Sequence, residues 1–287
     1  MFWATYKNTT KNILRNVSFW LFLLIYVALL INKHTAVYEW YKFDPITMEQ
    51  MFYTDPDYIF DYQSYVKEFC DAFFIFLCYM VPLFAVVTTA LTVSSDYGNM
   101  FFEVEKAGNI KTYKYVFARI AALTVLNSIV AILFAAAWYH LTFTTKGVIG
   151  MTTAEIIIDS IYRLLLNGVC RAVPCVLFHV CLTYAIGTFV KHGVATGIIG
   201  MAYALANYIY DSRFDVADTS FYVQYLIPVD PRKVMNYLYY FDSEWFEWMI
   251  ETFKTSLGKA AIALGIMVGS AALFAIISYL RTRKRVL

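Results

Sequence analysis

The sequence is poor in charge, and this sets its broad class. Asp, Glu, Lys and Arg make up 15% of the 287 residues, whereas 60% are hydrophobic and 19% are aromatic. A soluble domain of this size needs a far larger polar surface, so the composition excludes an ordinary soluble globular protein. The net charge is only +2, and we expect no nucleic-acid partner.

Cysteine is scarce, and its placement argues against a disulfide framework or a thiolate metal site. All five cysteines lie in or beside apolar stretches: Cys70, Cys78, Cys170, Cys175 and Cys181. None has metal-ligand spacing, and the two long polar loops carry no cysteine pair of their own. We interpret these residues as free thiols that behave as small hydrophobic side chains.

Recognisable catalytic and nucleotide-binding motifs are missing as well. The sequence holds no H-E-x-x-H, no G-x-S-x-G, no paired aspartates within an apolar stretch and no Walker A stretch. His179 stands alone in its apolar stretch, and Asp71 has no acidic neighbour to work with. We therefore expect no catalytic residue, no cofactor and no metal in this chain.

What the sequence does contain is a set of long apolar stretches bounded by charge. There are six, at 17–31, 72–93, 116–139, 172–190, 193–209 and 260–280. A helix rising about 1.5 Å per residue needs roughly 20 apolar residues to cross about 30 Å of hydrocarbon. The pattern predicts an all-α polytopic membrane protein in which residues 17–287 form a single domain of six transmembrane helices.

The distribution of Lys and Arg predicts how these helices are oriented. One side carries twelve basic residues and three acids, whereas the loops 32–69 and 210–258 on the other side are acidic. The positive-inside rule places the basic side in the cytoplasm. We expect both termini to be cytoplasmic, both long loops to be exoplasmic, and the chain to lie in the bacterial inner or plasma membrane.

Residues 1–16 precede the first apolar stretch and are aromatic and basic. Phe2, Trp3 and Tyr6 are followed by Lys7, Lys11 and Arg15, with Ile13 and Leu14 among these cations. No small-x-small cleavage site follows the apolar run. This pattern predicts a helix lying in the inner membrane interface. The alternative is a disordered basic leader that only enforces orientation.

Two further patterns concern the interior of the membrane. G-x-x-x-G spacing occurs at Gly193 and Gly197 and again at Gly265 and Gly269, and it permits close packing between helices. The segment 153–171 carries Arg163 and Arg171 beside an apolar face. We interpret it as an interfacial helix, with the alternative that the two arginines line a pathway through the membrane.

The segment 94–115 is the one substantial connection on the basic side. Asp96 is predicted to begin a short helix with apolar and charged faces, and Gly108 and Asn109 end it. A mixed-charge helix with exposed aromatic residues at a membrane surface suits docking to another protein. The alternative is a plain amphipathic connector among the lipid headgroups.

Together these features resemble the membrane subunit of ABC-2 type transporters. In that family an elbow helix precedes the first span, a coupling helix follows the second, and a basic residue opens the third. The matching positions here are Asp96, Gly98, the helix Phe101–Lys106, Tyr113 and Arg119. The long loop before the last span also matches.

The resemblance implies a permease of an ATP-driven exporter, which works as a dimer with an identical or sister chain. Separate ATPase subunits would bind ATP and Mg²⁺ and dock on the coupling segment. The residues to which the resemblance assigns ATPase coupling are Asp96, Gly98, Phe101, Phe102, Glu103, Glu105 and Lys106. Spans two and five would line the route for a peptide or another amphipathic substrate.

Other functions remain open to the sequence. An ion-coupled secondary transporter or channel is the main alternative, although such proteins usually carry ionisable residues near the middle of the membrane. A membrane-embedded enzyme is the weaker alternative, since the catalytic motifs named above are missing.

Overall fold

The computed structural model describes residues 2–40, 80–97, 111–145, 169–170, 172–213 and 249–283. These residues are almost entirely helical, and no strand occurs among them. Most of the predicted coupling segment, including Gly98, Phe101, Phe102, Glu103, Glu105 and Lys106, lies outside the described residues. So do Arg163 and Arg171.

The described chain forms seven helices. They are α1 (Phe2–Arg15), α2 (Val17–Trp40), α3 (Met80–Tyr97), α4 (Thr112–Thr145), α5 (Ala172–Val190), α6 (Gly193–Arg213) and α7 (Met249–Arg283). Five of them contain stretches long and apolar enough to cross a membrane: α2, α3, α4, α5 and α7. The apolar part of α6, Gly193–Ala206, is shorter. The predicted all-helical architecture is therefore confirmed for the described residues, and the five long apolar helices are consistent with a membrane protein.

Several helices extend beyond the apolar stretches that predicted them, and α2 and α7 are the clearest cases. α2 continues past Ile31 to Trp40, and α7 begins at Met249, well before the apolar stretch at 260–280. A helix continues as long as its backbone hydrogen bonds are made, whereas the membrane limits only its apolar part. Polar helical turns thus extend from both helices into the regions predicted as exoplasmic loops.

A single non-helical residue, Asn16, separates α1 from α2. Its side-chain oxygen accepts a hydrogen bond from the backbone N–H of Ser18 (2.9 Å), which is the usual way an Asn caps a helix N-terminus. The indole N–H of Trp20 donates to the carbonyl of Leu14 across the same corner (2.7 Å). These contacts hold α1 at the entrance to the first apolar helix.

α3 packs inside the bundle, and its Phe84 contacts aromatic rings of neighbouring helices. The ring of Phe84 lies 5.7 Å from Phe19, 5.1 Å from Tyr26 and 6.5 Å from Phe134, measured between ring centroids. α3 thereby contacts both α2 and α4. α2 and α7 are largely exposed and form the periphery.

Glycines allow α3 to approach its neighbours α5 and α6 closely. A β-carbon at Gly193 would meet Ser94 and would lie 2.8 Å from the carbonyl oxygen of Ala90. One at Gly200 would lie 2.7 Å from Val86. Any side chain at Gly193 would press on the α3 backbone, and one at Gly200 would require Val86 to shift.

The other four glycines whose surroundings the structure describes include both buried and open positions. A β-carbon at Gly187 would lie 2.5 Å from Val93, and one at Gly197 would lie 3.2 Å from the side chain of Ala90. At Gly265 and Gly269 on α7, no atom of the described residues lies within 4 Å of that position. Of the two G-x-x-x-G pairs, the one on α6 packs within the chain and the one on α7 faces outward.

Contacts between helix termini define one end of the bundle, which we call the α1 end. α3 and α5 end there, because Val93 contacts Gly187, and α4 and α6 begin there. α7 ends there too, since the guanidinium of Arg281 lies 5.1 Å from the ring of Phe189. Successive helices from α2 to α7 therefore alternate in direction.

Candidate functional site: a buried charge cluster at the α1 end

An ion pair lies buried inside the α1 end of the bundle. A guanidinium nitrogen of Arg119, in the second turn of α4, is 2.6 Å from a carboxylate oxygen of Asp96 in the last turn of α3. The two side chains are only 2% and 4% exposed. The pair connects the end of one apolar helix to the beginning of the next.

Two tyrosines complete the immediate surroundings of this pair. The hydroxyl of Tyr184 on α5 donates to the second carboxylate oxygen of Asp96 (3.3 Å). Arg119 donates to the hydroxyl of Tyr115 (3.2 Å), one turn earlier on α4, and its guanidinium carbon lies 5.0 Å from that ring. The cluster therefore joins α3, α4 and α5.

The same arginine also binds the amino-terminal helix. Arg119 donates through its other terminal nitrogen to the hydroxyl of Thr9 (2.9 Å), and that hydroxyl in turn donates to the carbonyl of Thr5 (2.7 Å). Thr5, Thr9 and Ile13 form the buried face of α1. Helical spacing places these three residues in one line along α1, where they pack against α4.

Electrostatics explain why these groups occur together. A charge transferred from water to an apolar interior loses hydration worth several kcal/mol, and only a close counter-charge with further hydrogen bonds compensates for it. Asp96 and Arg119 neutralise each other, and the hydroxyls satisfy additional polar atoms. Removing either charge alone would leave the other one buried and uncompensated.

A smaller polar contact lies farther along the same two helices. The hydroxyl of Thr88 on α3 is 2.9 Å from the side-chain oxygen of Asn127 on α4, and the Asn127 amide donates to the carbonyl of Leu123 (2.7 Å). Such contacts between membrane helices contribute modestly, typically below about 2 kcal/mol. α3 and α4 are thus joined by polar contacts at two levels.

The cluster connects two consecutive helices of the bundle. Within the described residues, no three His, Cys, Asp or Glu side chains lie close enough together to hold a metal ion. The ion pair instead joins the two ends of the segment 98–111, since Asp96 precedes it and Arg119 follows it. Through Thr9 and Tyr184 the pair also contacts α1 and α5.

The structure locates three groups of residues that the sequence singled out. Asp96 belongs to the last turn of α3 and is buried, whereas the sequence reading made it the start of a separate helix. Gly193 and Gly197 lie against α3, and Gly265 and Gly269 face outward. The other predicted coupling residues lie outside the described part of the chain.

Sequence reasoning missed the ion pair itself. Arg119 was predicted as a cation of the basic side and as the basic residue that opens the third span, but its burial and its pairing with Asp96 were not predicted. The available signal was that Asp96 and Arg119 each adjoin an apolar stretch on opposite ends of one connection. Thr9 and Tyr184 carried no sequence signal, because a Thr or Tyr near a membrane surface is common.

The described residues form a helical bundle with five helices long and apolar enough to cross a membrane, and a buried ion pair joins helices at one end of it. Neither protein-family models nor curated protein sequences give a match to this chain.

Proposed function

We propose that this chain is the membrane subunit of an ATP-driven exporter of the ABC-2 type. The first support is the position of α1. It is an amphipathic helix that packs against α4 and is joined through Asn16 to the first apolar helix, as an elbow helix would be. An independent leader would not need a buried face or a hydrogen bond to Arg119.

The observation that carries the proposal is the ion pair between Asp96 and Arg119. An ATPase that drives transport must push on the membrane helices through a cytoplasmic contact, and that contact must be mechanically connected to the helices. The buried pair supplies the connection for the segment 98–111, because it links both ends of that segment to α3, α4 and their neighbours. A passive connector has no need of two buried charges, which are costly to place in an apolar interior.

In this proposal Asp96 and Arg119 are positioning residues rather than docking contacts. Both are buried, so an ATPase subunit would contact the segment between them, with Phe101 and Glu103 as the anchors. The partner ATPase binds ATP and Mg²⁺, and a second permease, identical or sister, completes the route for a peptide or amphipathic substrate. α3 and α6, which correspond to spans two and five, bound this route, and the α1 end faces the cytoplasm.

The direct test is to purify the tagged chain from its native membrane and to identify the proteins that co-purify. We expect an ATPase subunit, and we expect the complex to hydrolyse ATP and to transport substrate in proteoliposomes. Transport by the purified chain alone, driven only by an ion gradient, would overturn the proposal in favour of a secondary transporter.

A second comparison tests the coupling segment within that complex. We expect Phe101→Ala and Glu103→Lys to weaken ATPase binding and to uncouple hydrolysis from transport, since anchor contacts contribute about 1–3 kcal/mol. Lys33→Glu is the matched control, because Lys33 is exposed on α2 far from the α1 end. If both segment variants bind and transport as the control does, the segment 98–111 is only a connector.

A further inference from the structure

The outer face of α1 has a composition that the bundle does not explain. Its buried face consists of Thr5, Thr9 and Ile13, whereas the exposed positions recur every three or four residues on the opposite side. These exposed positions are Trp3, Ala4, Lys7, Asn8, Lys11, Leu14 and Arg15. We call them the α1 outer face.

All charged residues of the α1 outer face are cations. It carries Lys7, Lys11 and Arg15 at intervals of four residues, and the sequence contains no acid before Glu39. Residues four apart on a helix are neighbours along one side, so the three cations form a line. Repulsion among them is not relieved by any acid within α1, and an external anion would relieve it.

The face also carries apolar side chains beside the cations. Trp3 is 74% exposed, with its ring packed edge-on against Phe2 and Tyr6 at 5.7 and 5.6 Å, and Leu14 is 39% exposed. A large indole beside lysines is typical of the headgroup level of a bilayer, where one part of the side chain is apolar and the other is wet.

The geometry of the corner limits which anion can reach this face. α1 ends at Arg15 and the first apolar helix begins at Val17, so a single residue separates α1 from that helix. α1 is further held by the hydrogen bond from Arg119 to Thr9. With α2 across the bilayer, a helix fixed in this way is held close to the bilayer surface, where its outer face is within reach of the headgroups.

We propose that the α1 outer face binds the headgroups of anionic lipids. Lys7, Lys11 and Arg15 would pair with the lipid phosphates, and Trp3 and Leu14 would insert beside them. Because Thr9 lies on the opposite side of the same helix, bound lipid stabilises the position of α1 against Arg119. The lipid composition of the membrane thereby acts on the buried charge cluster, whether or not the chain works with an ATPase.

Hydrogen–deuterium exchange of the full-length chain in nanodiscs tests the proposal. The probes are nanodiscs of phosphatidylcholine alone and of phosphatidylcholine containing phosphatidylglycerol. We expect the α1 amides to exchange more slowly in the anionic discs, by up to roughly fivefold for each cation that contacts the surface, and high salt should reduce the difference.

Three variants separate the α1 outer face from general surface charge. Lys7→Gln/Lys11→Gln/Arg15→Gln should abolish the lipid-dependent protection, and Lys111→Gln/Lys191→Gln/Arg283→Gln, with the same change in net charge at the same end, should retain most of it. The conservative variant Lys7→Arg/Lys11→Arg should behave like wild type. Exchange within α4 serves as the folding control for all of them.

Three outcomes would overturn the proposal. These are equal exchange of α1 in both kinds of nanodisc, equal loss of protection in the two triple variants, and protection that requires an added protein partner instead of anionic lipid. The assay contains no ATPase and no transport step, so its result is independent of the proposed exporter function.

Discussion

At the scale of single residues, the buried side chain of Arg119 connects three helices of the described structure. Its side chain reaches Asp96 on α3, Tyr115 on its own helix and Thr9 on α1. A planar guanidinium can donate in several directions at once, which a lysine ammonium on a flexible stem does with less precise geometry. The same position therefore serves as counter-charge and as hydrogen-bond donor to a separate helix.

Breaking this pair from one side should be strongly destabilising. We expect Arg119→Gln to lower the free energy of unfolding by about 3–5 kcal/mol, because it leaves the Asp96 carboxylate buried without its counter-charge. The measurement is reversible unfolding of the purified chain in detergent micelles, followed by circular dichroism.

Two companions make this measurement decisive. The double variant Asp96→Asn/Arg119→Gln should recover a substantial part of the loss, since no uncompensated charge remains. Arg283→Gln, at an exposed position of α7, should change stability little. Equal destabilisation by the single and the double variant would contradict an electrostatic origin and indicate a packing defect.

At the scale of helices, the position of α3 depends on how closely its neighbours approach. α3 contacts α2, α4, α5 and α6. Glycines at 187, 193 and 200 let α5 and α6 pack directly on its side chains and backbone. Membrane helices gain little from the hydrophobic effect when they associate in lipid, so close van der Waals contact is a main source of stability. Small residues at the contact are what permit it.

A pair of matched substitutions tests this packing. Gly200→Leu should force α6 away from Val86 and lower stability by about 1–3 kcal/mol, the usual cost of overpacking a filled interior. Gly269→Leu introduces the same side chain at a position with no atom of the described residues within 4 Å, and the monomer should tolerate it.

Thermal unfolding of both variants in one detergent provides the comparison. Similar melting temperatures for the two variants would contradict the α3–α6 contact described above. A loss of dimer in Gly269→Leu, with unchanged monomer stability, would indicate that the outward glycine face of α7 contacts a second copy.

At the scale of the whole molecule, both terminal helices meet at the α1 end. α1 packs there on α4, and α7 ends there beside α5. The described helices α2 to α7 alternate in direction. If each of them crosses the bilayer, the even number of crossings returns the chain to the side on which it began. Exposed cations such as Lys111, Lys191 and Arg283 lie at this same end.

Single-cysteine labelling should establish the orientation. In a background without the five native cysteines, we expect a membrane-impermeant maleimide to label Thr54→Cys and Ser243→Cys from outside in intact cells. Asn109→Cys and Lys191→Cys should react only after the membrane is permeabilised, because the positive-inside rule places the α1 end in the cytoplasm. Labelling of Asn109→Cys in intact cells would contradict this topology.

Composition and pattern were sufficient to predict the class of the protein. A helix must bury about 20 apolar residues to cross a bilayer, so the length of each apolar stretch carries the information locally. This is why the sequence predicted long apolar helices. The helical α1 was predicted separately, from the pattern of its aromatic and basic residues. The start of α7 and the end of α2 were not predicted, because polar helical turns beyond the apolar stretch leave no comparable signal in the sequence.

The tertiary structure alone decided which polar residues meet. Asp96 and Arg119 belong to different helices, and Thr9 and Tyr184 come from two more, so their proximity depends on how four helices pack. The sequence offered two G-x-x-x-G pairs of equal appearance, and packing buried the pair on α6 and left the one on α7 exposed. The local sequence determines whether a helix forms and enters the membrane, whereas contacts between helices depend on rotations and approaches that no single segment encodes.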